Sequence, residues 1–170
     1  TLVLFSDTPL LKRKTVLEII EYAQMKKLSV LKLTRGYVFE TVYLKTIDKL
    51  YAPQLHYFDE EDFITCFNFK QYALINEILQ TRIINYHMKN GVEFTKPETC
   101  EIDVNVVIES GTIIERNNKI KGKCIIENNS HLCEDNSILN SVIKNGCKLE
   151  KSSINNSFLE ENCIVKPYCV

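Results

Sequence analysis

Tryptophan is absent from the 170 residues, glycine is limited to 5, and neither sign of charge predominates. The 21 basic and 22 acidic residues leave a net charge of −1. That balance excludes a chain that grips nucleic acid by bulk electrostatics. It argues equally against a polybasic membrane-surface protein. No stretch approaches the roughly 20 apolar residues needed to cross a bilayer, and no signal-peptide pattern opens the chain. The expectation is a soluble, cytoplasmic protein with no nucleic-acid or membrane partner. The length suffices for one compact domain, or a small one with an elongated appendage.

Cysteine is what the chain has in excess, with 7 at positions 66, 100, 124, 133, 147, 163 and 169. None form a C-x-x-C pair, so the usual zinc signature is missing. An odd number without a secretion signal argues against structural disulfides. The reading that remains is small buried hydrophobes. At the other end, Thr1-Leu-Val-Leu-Phe5 is a continuous apolar run of the kind that forms a strand buried on both faces. A natural chain rarely starts inside its core, and there is no initiator methionine. The expectation is therefore a fragment of a longer protein.

Asp7 and Pro9 bring turn chemistry after that first strand. A helix is predicted over 14–27, with Val16, Ile20 and Ala23 on its buried face, and a second strand over 28–33. Strand, helix and strand in that order predict a βαβ unit of a parallel sheet. Ligands of such sheets bind beyond the carboxyl ends of the strands, where Asp7 falls. The alternative for Asp7 is a turn or helix-capping role. A strand over 36–39 and a helix over 40–50 follow. Residues 51–63 lack periodicity, and their acidic run, Asp59 to Asp62, reads as a solvated loop rather than a metal site.

The clearest helix is predicted near 70–89. Tyr72, Ile75, Leu79, Ile83 and Tyr86 form one apolar stripe, and Asn90-Gly91 supplies a glycine stop. His87, in the last turn, reads as a helix-end cation or surface residue, since no nucleophile is placed near it.

From residue 100 the pattern changes. Ile102, Ile108, Ile114, Ile120, Ile126, Leu132 and Ile138 recur every six residues. The spacing contracts to five at Ile143, at Ile154 and at Leu159, and is six again at Leu149 and Val165. A six-residue period fits neither an α-helix nor simple strand alternation. It is the period of a hexapeptide parallel β-helix, in which three hexads complete a triangular turn and the aliphatic residues stack inward. Two residues before these anchors stand Cys100, Val106, Thr112, Asn118, Cys124, Ser130, Asn136, Ser141, Cys147 and Cys163. All are small, β-branched or turn-tolerant, as a crowded corner requires. Four of the cysteines are thereby corner fillers. About four coils fit into 100–170, and a coil end left open at Val170 predicts continuation in the parent protein.

An α/β unit, a long helix and a hexapeptide helix together resemble the bifunctional enzymes that join an N-acetylglucosamine-1-phosphate uridyltransferase to a glucosamine-1-phosphate acetyltransferase. The segment from Gln80 to Asp103 is similar to that family's R-I-x-x-x-H-M/L-x-x-G-V linker helix and the D-P-x-x-x-x-I-D segment that follows it. The shortened hexads and Val165-Lys-Pro-Tyr168 are similar as well. The resemblance implies a Rossmann-like nucleotidyltransferase remnant over 1–94, with its linker helix at 70–90, and a left-handed β-helix over 95–170.

It also implies a site. Leu2-Val-Leu-Phe-Ser-Asp-Thr-Pro-Leu10 looks like the family's L-V-L-x-G-D-x-P-L, whose Asp binds the catalytic Mg²⁺. That maps the metal to Asp7, with Phe5 and Ser6 lining the sugar-nucleotide site. Cys66-Phe-Asn-Phe-Lys70 looks like G-V-N-D/N-R, whose Asn is the second ligand, here Asn68. An oxygen-only pair suits magnesium, which keeps waters and nucleotide phosphate oxygens. The implied reaction is attack of the sugar phosphate on the α-phosphate of UTP, giving UDP-N-acetylglucosamine for cell-wall peptidoglycan synthesis. Acetyl-CoA is an implied substrate only with coils beyond Val170, and side-by-side packing of such helices implies a homotrimer.

The chain also departs from the family. Ser6 replaces a glycine, Cys66 and Phe67 replace Gly-Val, and Thr34-Arg-Gly36 stands where the family has Asn-Thr-Gly. The glycine-rich loop that cradles the nucleotide phosphates is missing, as are longer family stretches near 32–34 and 51–55. The chain by itself is therefore expected to be inactive. Two alternatives stay open: another sugar-nucleotide pyrophosphorylase, such as a glucose-1-phosphate adenylyltransferase, or a non-catalytic regulatory or scaffold subunit of the same layout.

Overall fold

The computed structural model describes residues 1–49 and 53–169. The chain divides into two compact units, Thr1–Asn76 and Glu77–Val170.

The first unit carries β1 (Leu2–Leu4), α1 (Arg13–Met25), β2 (Val30–Leu33), β3 (Gly36–Phe39), α2 (Thr41–Thr46) and β4 (Gln54–Leu55). The expected strands at 28–33 and 36–39 form, but β1 and β2 are not neighbours. The sheet order is β1-β3-β2-β4, with β3 antiparallel to both β1 and β2 and β4 parallel to β2. A two-residue turn, Thr34-Arg35, folds β3 back into the place that a parallel βαβ pairing would have filled. Gly36 makes this insertion feasible. Its φ is +136°, and a Cβ there would lie 2.4 Å from the Val3 carbonyl oxygen, so only glycine lets β1 come alongside. The helix expected over 40–50 is limited to Thr41–Thr46, and the part of that expectation at Leu50 lies outside the described residues.

Ile19 and Ala23 of α1 pack with Leu31, Leu33 and Phe63 into the unit's small core. The acidic run is not simply solvated. Asp62 is fully buried and accepts hydrogen bonds from the Lys12 backbone N–H at 3.1 Å and from the Thr15 hydroxyl, while Lys12 Nζ lies 2.8 Å from it. Burial pushes the Asp62 carboxyl up, but the hydrogen bonds from Lys12 and Thr15 outweigh it and hold the group below its ordinary value. Lys12, at the N-cap position, gives α1 no side-chain cap. Asp62 supplies one from 50 residues away.

In the second unit the six-residue period produces a parallel β-solenoid of about four turns. Strand partners lie 18 residues apart at first, as in Val107↔Ile125, then 17 in Ile125↔Val142 and 16 in Val142↔Phe158. The contracted hexads shorten the coil without breaking register. Ile102, Ile120, Ile138 and Ile154 stack on one face, and Ile108, Ile126, Ile143 and Leu159 on the next. Phe94, Ile114, Leu132, Leu149 and Val165 fill the third. This core is contiguous and nearly all of it is excluded from solvent.

The corner residues are buried as the crowding argument requires, Cys100, Asn118, Cys124, Asn136 and Cys147 among them. They also satisfy carbonyls between coils. Asn118 Nδ2 donates to the carbonyls of Glu115 and Cys133, both at 2.8 Å. Asn136 Nδ2 donates to Asn118 Oδ1 at 3.0 Å, and Asn136 Oδ1 accepts from the Ser152 N–H. Each such bond contributes about 0.5–1.5 kcal/mol, and deleting one partner costs more because the other stays buried. The tight turns explain the scarce glycine. Asn117, Asn129, Asn140, Asn156 and Asn162 adopt φ of 46–60°, a conformation asparagine tolerates.

The long helix α3 (Phe69–Lys89) matches its expected span, but its stripe is rotated toward Ile84 and His87. Ile75, Ile84 and His87 are buried, whereas Tyr72 and Tyr86 are exposed. Gln80 explains part of the shift. Its Nε2 donates to the Ile102 carbonyl at 3.0 Å and its Oε1 accepts from the Ile102 N–H at 2.9 Å. One side chain thus pairs the open edge of the Glu101–Ile102 strand.

Candidate functional site

Two loops of the first unit meet at the end of β1. The Cys66 N–H donates to the Asp7 carbonyl oxygen at 3.0 Å, which fastens the segment carrying Asn68 to the turn carrying Asp7. Because β3 lies against β1, the β2–β3 turn brings Arg35 to the same place. Its Nη2 donates to Asp7 Oδ2. The guanidinium carbon sits 4.8 Å from the centroid of Phe5 and 5.7 Å from that of Phe67, so two aromatic rings flank the cation.

Of the residues that the sequence puts forward, Phe5 and Asp7 are joined through Arg35. Ser6 is exposed in the turn between them. Asn68 is exposed and caps α3: its Oδ1 accepts from the Gln71 N–H at 3.0 Å, while Gln71 Oε1 accepts from the Phe67 N–H. Asp7 Oδ1 is buried and has no hydrogen-bond partner among the described residues. Asp7 Oδ1, an unpartnered carboxylate oxygen, suits a hard divalent cation, whereas Asn68 Oδ1 is already engaged by the Gln71 N–H. Arg35 is the member that sequence reasoning missed as a site residue. Its position two residues beyond β2 was legible, but its reach to Asp7 depends on the unexpected sheet order.

His87 departs from the surface role expected of it. It is 4% exposed, and burial lowers its basicity, so the neutral imidazole is favoured. With Arg82, Tyr86, Val104, Val107 and Glu109 it borders a recess of about 860 Å³ in the second unit.

The outer surface of the solenoid is not uniform. One face presents an aligned column of apolar residues, Val107, Ile125, Val142 and Phe158, three of them exposed. Another presents Glu101 with Lys119 and Lys121 paired to it at 3.4 and 2.9 Å. The cysteine thiols at the corners, Cys100, Cys124 and Cys147, are pushed up by burial and are unsuited to nucleophilic work. No helix among the described residues is long and apolar enough to cross a membrane.

No family model matches the chain. It is similar to the bifunctional protein GlmU of Lactobacillus johnsonii, with 36% identity over 95 residues, covering 56% of this chain and 21% of that protein. The GlmU of Enterococcus faecalis is 39% identical over 93 residues, 55% of this chain and 20% of that protein. That of Alkaliphilus metalliredigens is 30% identical over 114 residues, 64% and 24% respectively. The chain spans about a fifth of the length of the curated relatives it matches, within their C-terminal part.

Proposed function

We propose that this GlmU-like chain is a segment of a bifunctional transferase. Its first unit would belong to a sugar-1-phosphate uridyltransferase forming UDP-N-acetylglucosamine from UTP and N-acetylglucosamine-1-phosphate. Its solenoid would belong to an acetyltransferase that uses acetyl-CoA. The observation that carries the uridyltransferase reading is the Cys66-to-Asp7 backbone bond, which sets two oxygen-bearing side chains, Asp7 and Asn68, on neighbouring segments. These residues would hold Mg²⁺, which when bound supplies neutralisation of the triphosphate charge. Arg35 holds the Asp7 carboxylate by Oδ2 and leaves Oδ1 for a ligand. Phe5 and Phe67 shield the guanidinium on two sides and fix its direction.

The apolar column through Ile125 and Phe158 supports association of three solenoids side by side, since a continuous exposed apolar strip is stabilised by burial. One observation favours a second reading. Arg35 already supplies Asp7 with a positive charge, as a non-catalytic scaffold subunit of the same layout would need once the metal was dispensed with. The two readings separate in one assay: uridyl transfer from UTP to N-acetylglucosamine-1-phosphate by the intact protein, with Mg²⁺, beside Asp7→Ala. Turnover abolished by the substitution is the expected result. Turnover that survives it removes Asp7 from the metal site, and no turnover by the intact protein selects the scaffold.

A further inference from the structure

Cys133 is one of three cysteines, with Cys66 and Cys169, that neither the corner rule nor burial in the core accounts for. It follows the inward Leu132, so it points outward, as does His131 on the other side of that leucine. One coil earlier, Glu115 follows the inward Ile114, and the Leu132↔Ile114 register sets Glu115 beside Cys133. The sheet therefore gathers a carboxylate, an imidazole and a thiol at adjacent outward positions. His131 Nε2 lies 2.8 Å from Glu115 Oε1, and one ligand atom from each of the three residues falls within 4.8 Å of the others.

We propose that Glu115, His131 and Cys133 form a binding site for a zinc-class divalent ion on the outer face of the solenoid. Three features of the molecule support it. The first is ligand chemistry: one thiolate, one imidazole and one carboxylate is a borderline-soft set that suits Zn²⁺ or Co²⁺ and does not suit Mg²⁺ or Ca²⁺. The second is geometry. Tetrahedral zinc holds its ligand atoms roughly 3.5 Å apart, so donors already within 4.8 Å of one another need shifts of about 1 Å. The backbone beneath them is fixed by ladder bonds, the Glu115 N–H to the Leu132 carbonyl and the Cys133 N–H to the Leu149 carbonyl, both 2.9 Å. The third is an open side. Glu115 and Cys133 line a recess of about 400 Å³ together with Glu150 and Tyr168, which leaves room for a fourth ligand such as water.

The charges around the site act on the thiol and on a cation in opposite senses. Burial, and then the charge of Glu115, raise the Cys133 thiol, and Glu150 adds to this while Lys148 opposes it. The carboxylates that disfavour a bare thiolate attract a dication. Metal binding then forms the metal–sulfur bond and releases the thiol proton to solvent.

The test is titration of the reduced, chelator-treated protein with Co²⁺, whose thiolate charge-transfer absorption reports sulfur ligation, followed by displacement with Zn²⁺. The expected result is one equivalent of Co²⁺ with that absorption, lost in Cys133→Ser. His131→Gln and Glu115→Gln should each weaken binding about tenfold or more. All three side chains point outward, so far-ultraviolet circular dichroism should confirm that each variant keeps its fold. Absence of Co²⁺ binding overturns the proposal, leaving a hydrogen-bonded Glu115–His131 pair only. Charge-transfer absorption that persists in Cys133→Ser overturns it too, since it would then arise at another cysteine such as the exposed Cys169.

Discussion

Replacing Gly122 by alanine tests the turn chemistry of the solenoid at its tightest point. Gly122 has φ of +71°, and an added Cβ would fall 2.0 Å from Asn140 Oδ1 in the next coil. The left-handed conformation alone costs alanine about 1–2 kcal/mol. The collision adds to it. Asn140 Oδ1 accepts from the Lys123 N–H at 3.1 Å, so the side chain cannot swing away without giving up that bond, worth about 0.5–1.5 kcal/mol. The total is about 2–3 kcal/mol, or about 5–10 °C in Tm for a chain of this size. Thermal and urea unfolding of Gly122→Ala, Asn140→Gly and the double variant form the assay, followed by circular dichroism. In the double variant the Lys123 bond is lost once rather than twice, so the two effects should fall short of additivity by about 1 kcal/mol. Strict additivity, or a Gly122→Ala variant within about 0.5 kcal/mol of wild type, would refute the reasoning.

Asp62→Ala should destabilise the first unit by about 2–4 kcal/mol, because it leaves the Lys12 N–H and Thr15 hydroxyl without their buried acceptor. The folded carboxyl lies below its ordinary value of 3.8, so its contribution is complete above that pH and is lost as the pH falls toward the folded value; acid unfolding of Asp62→Asn should lack this component. His87 titrates with the same sense. Its basicity is lowered from 6.5 by burial, so the unfolded chain takes up a proton first as the pH drops below that value, and the second unit loses up to about 1.4 kcal/mol per pH unit. Urea midpoints between pH 7.5 and 5.5 should carry that slope in the wild type and lack it in His87→Leu; an equal slope in both would assign it elsewhere.

The solenoid was legible because its information is local. Each hexad carries its own inward aliphatic and its own small corner residue, and a coil needs only the next coil to bury them. Even the contracted hexads near Ile143 and Leu159 fell where the strand pairs shorten from 18 to 16 residues. The span of α3 was legible for the same reason, but its buried face was not: Gln80 turns toward the Ile102 strand and carries Ile84 and His87 inward with it. In the first unit the strands could be read from their apolar runs, whereas their order could not. Whether β3 extends the sheet or inserts between β1 and β2 depends on how closely two backbones pass at Gly36.

The same division holds for the sites. Asp7 was marked by its place after a strand, and Asn68 by its segment. The guanidinium on Asp7, the Asp62 cap on α1 and the gathering of Glu115, His131 and Cys133 all join residues 16 to 50 positions apart. By itself the sequence determined the repeat and the inward and outward sense of each solenoid residue. The tertiary structure alone decided which charged and polar groups meet, because a period of six fixes a residue's direction but leaves its partner to the coil or strand that packs beside it.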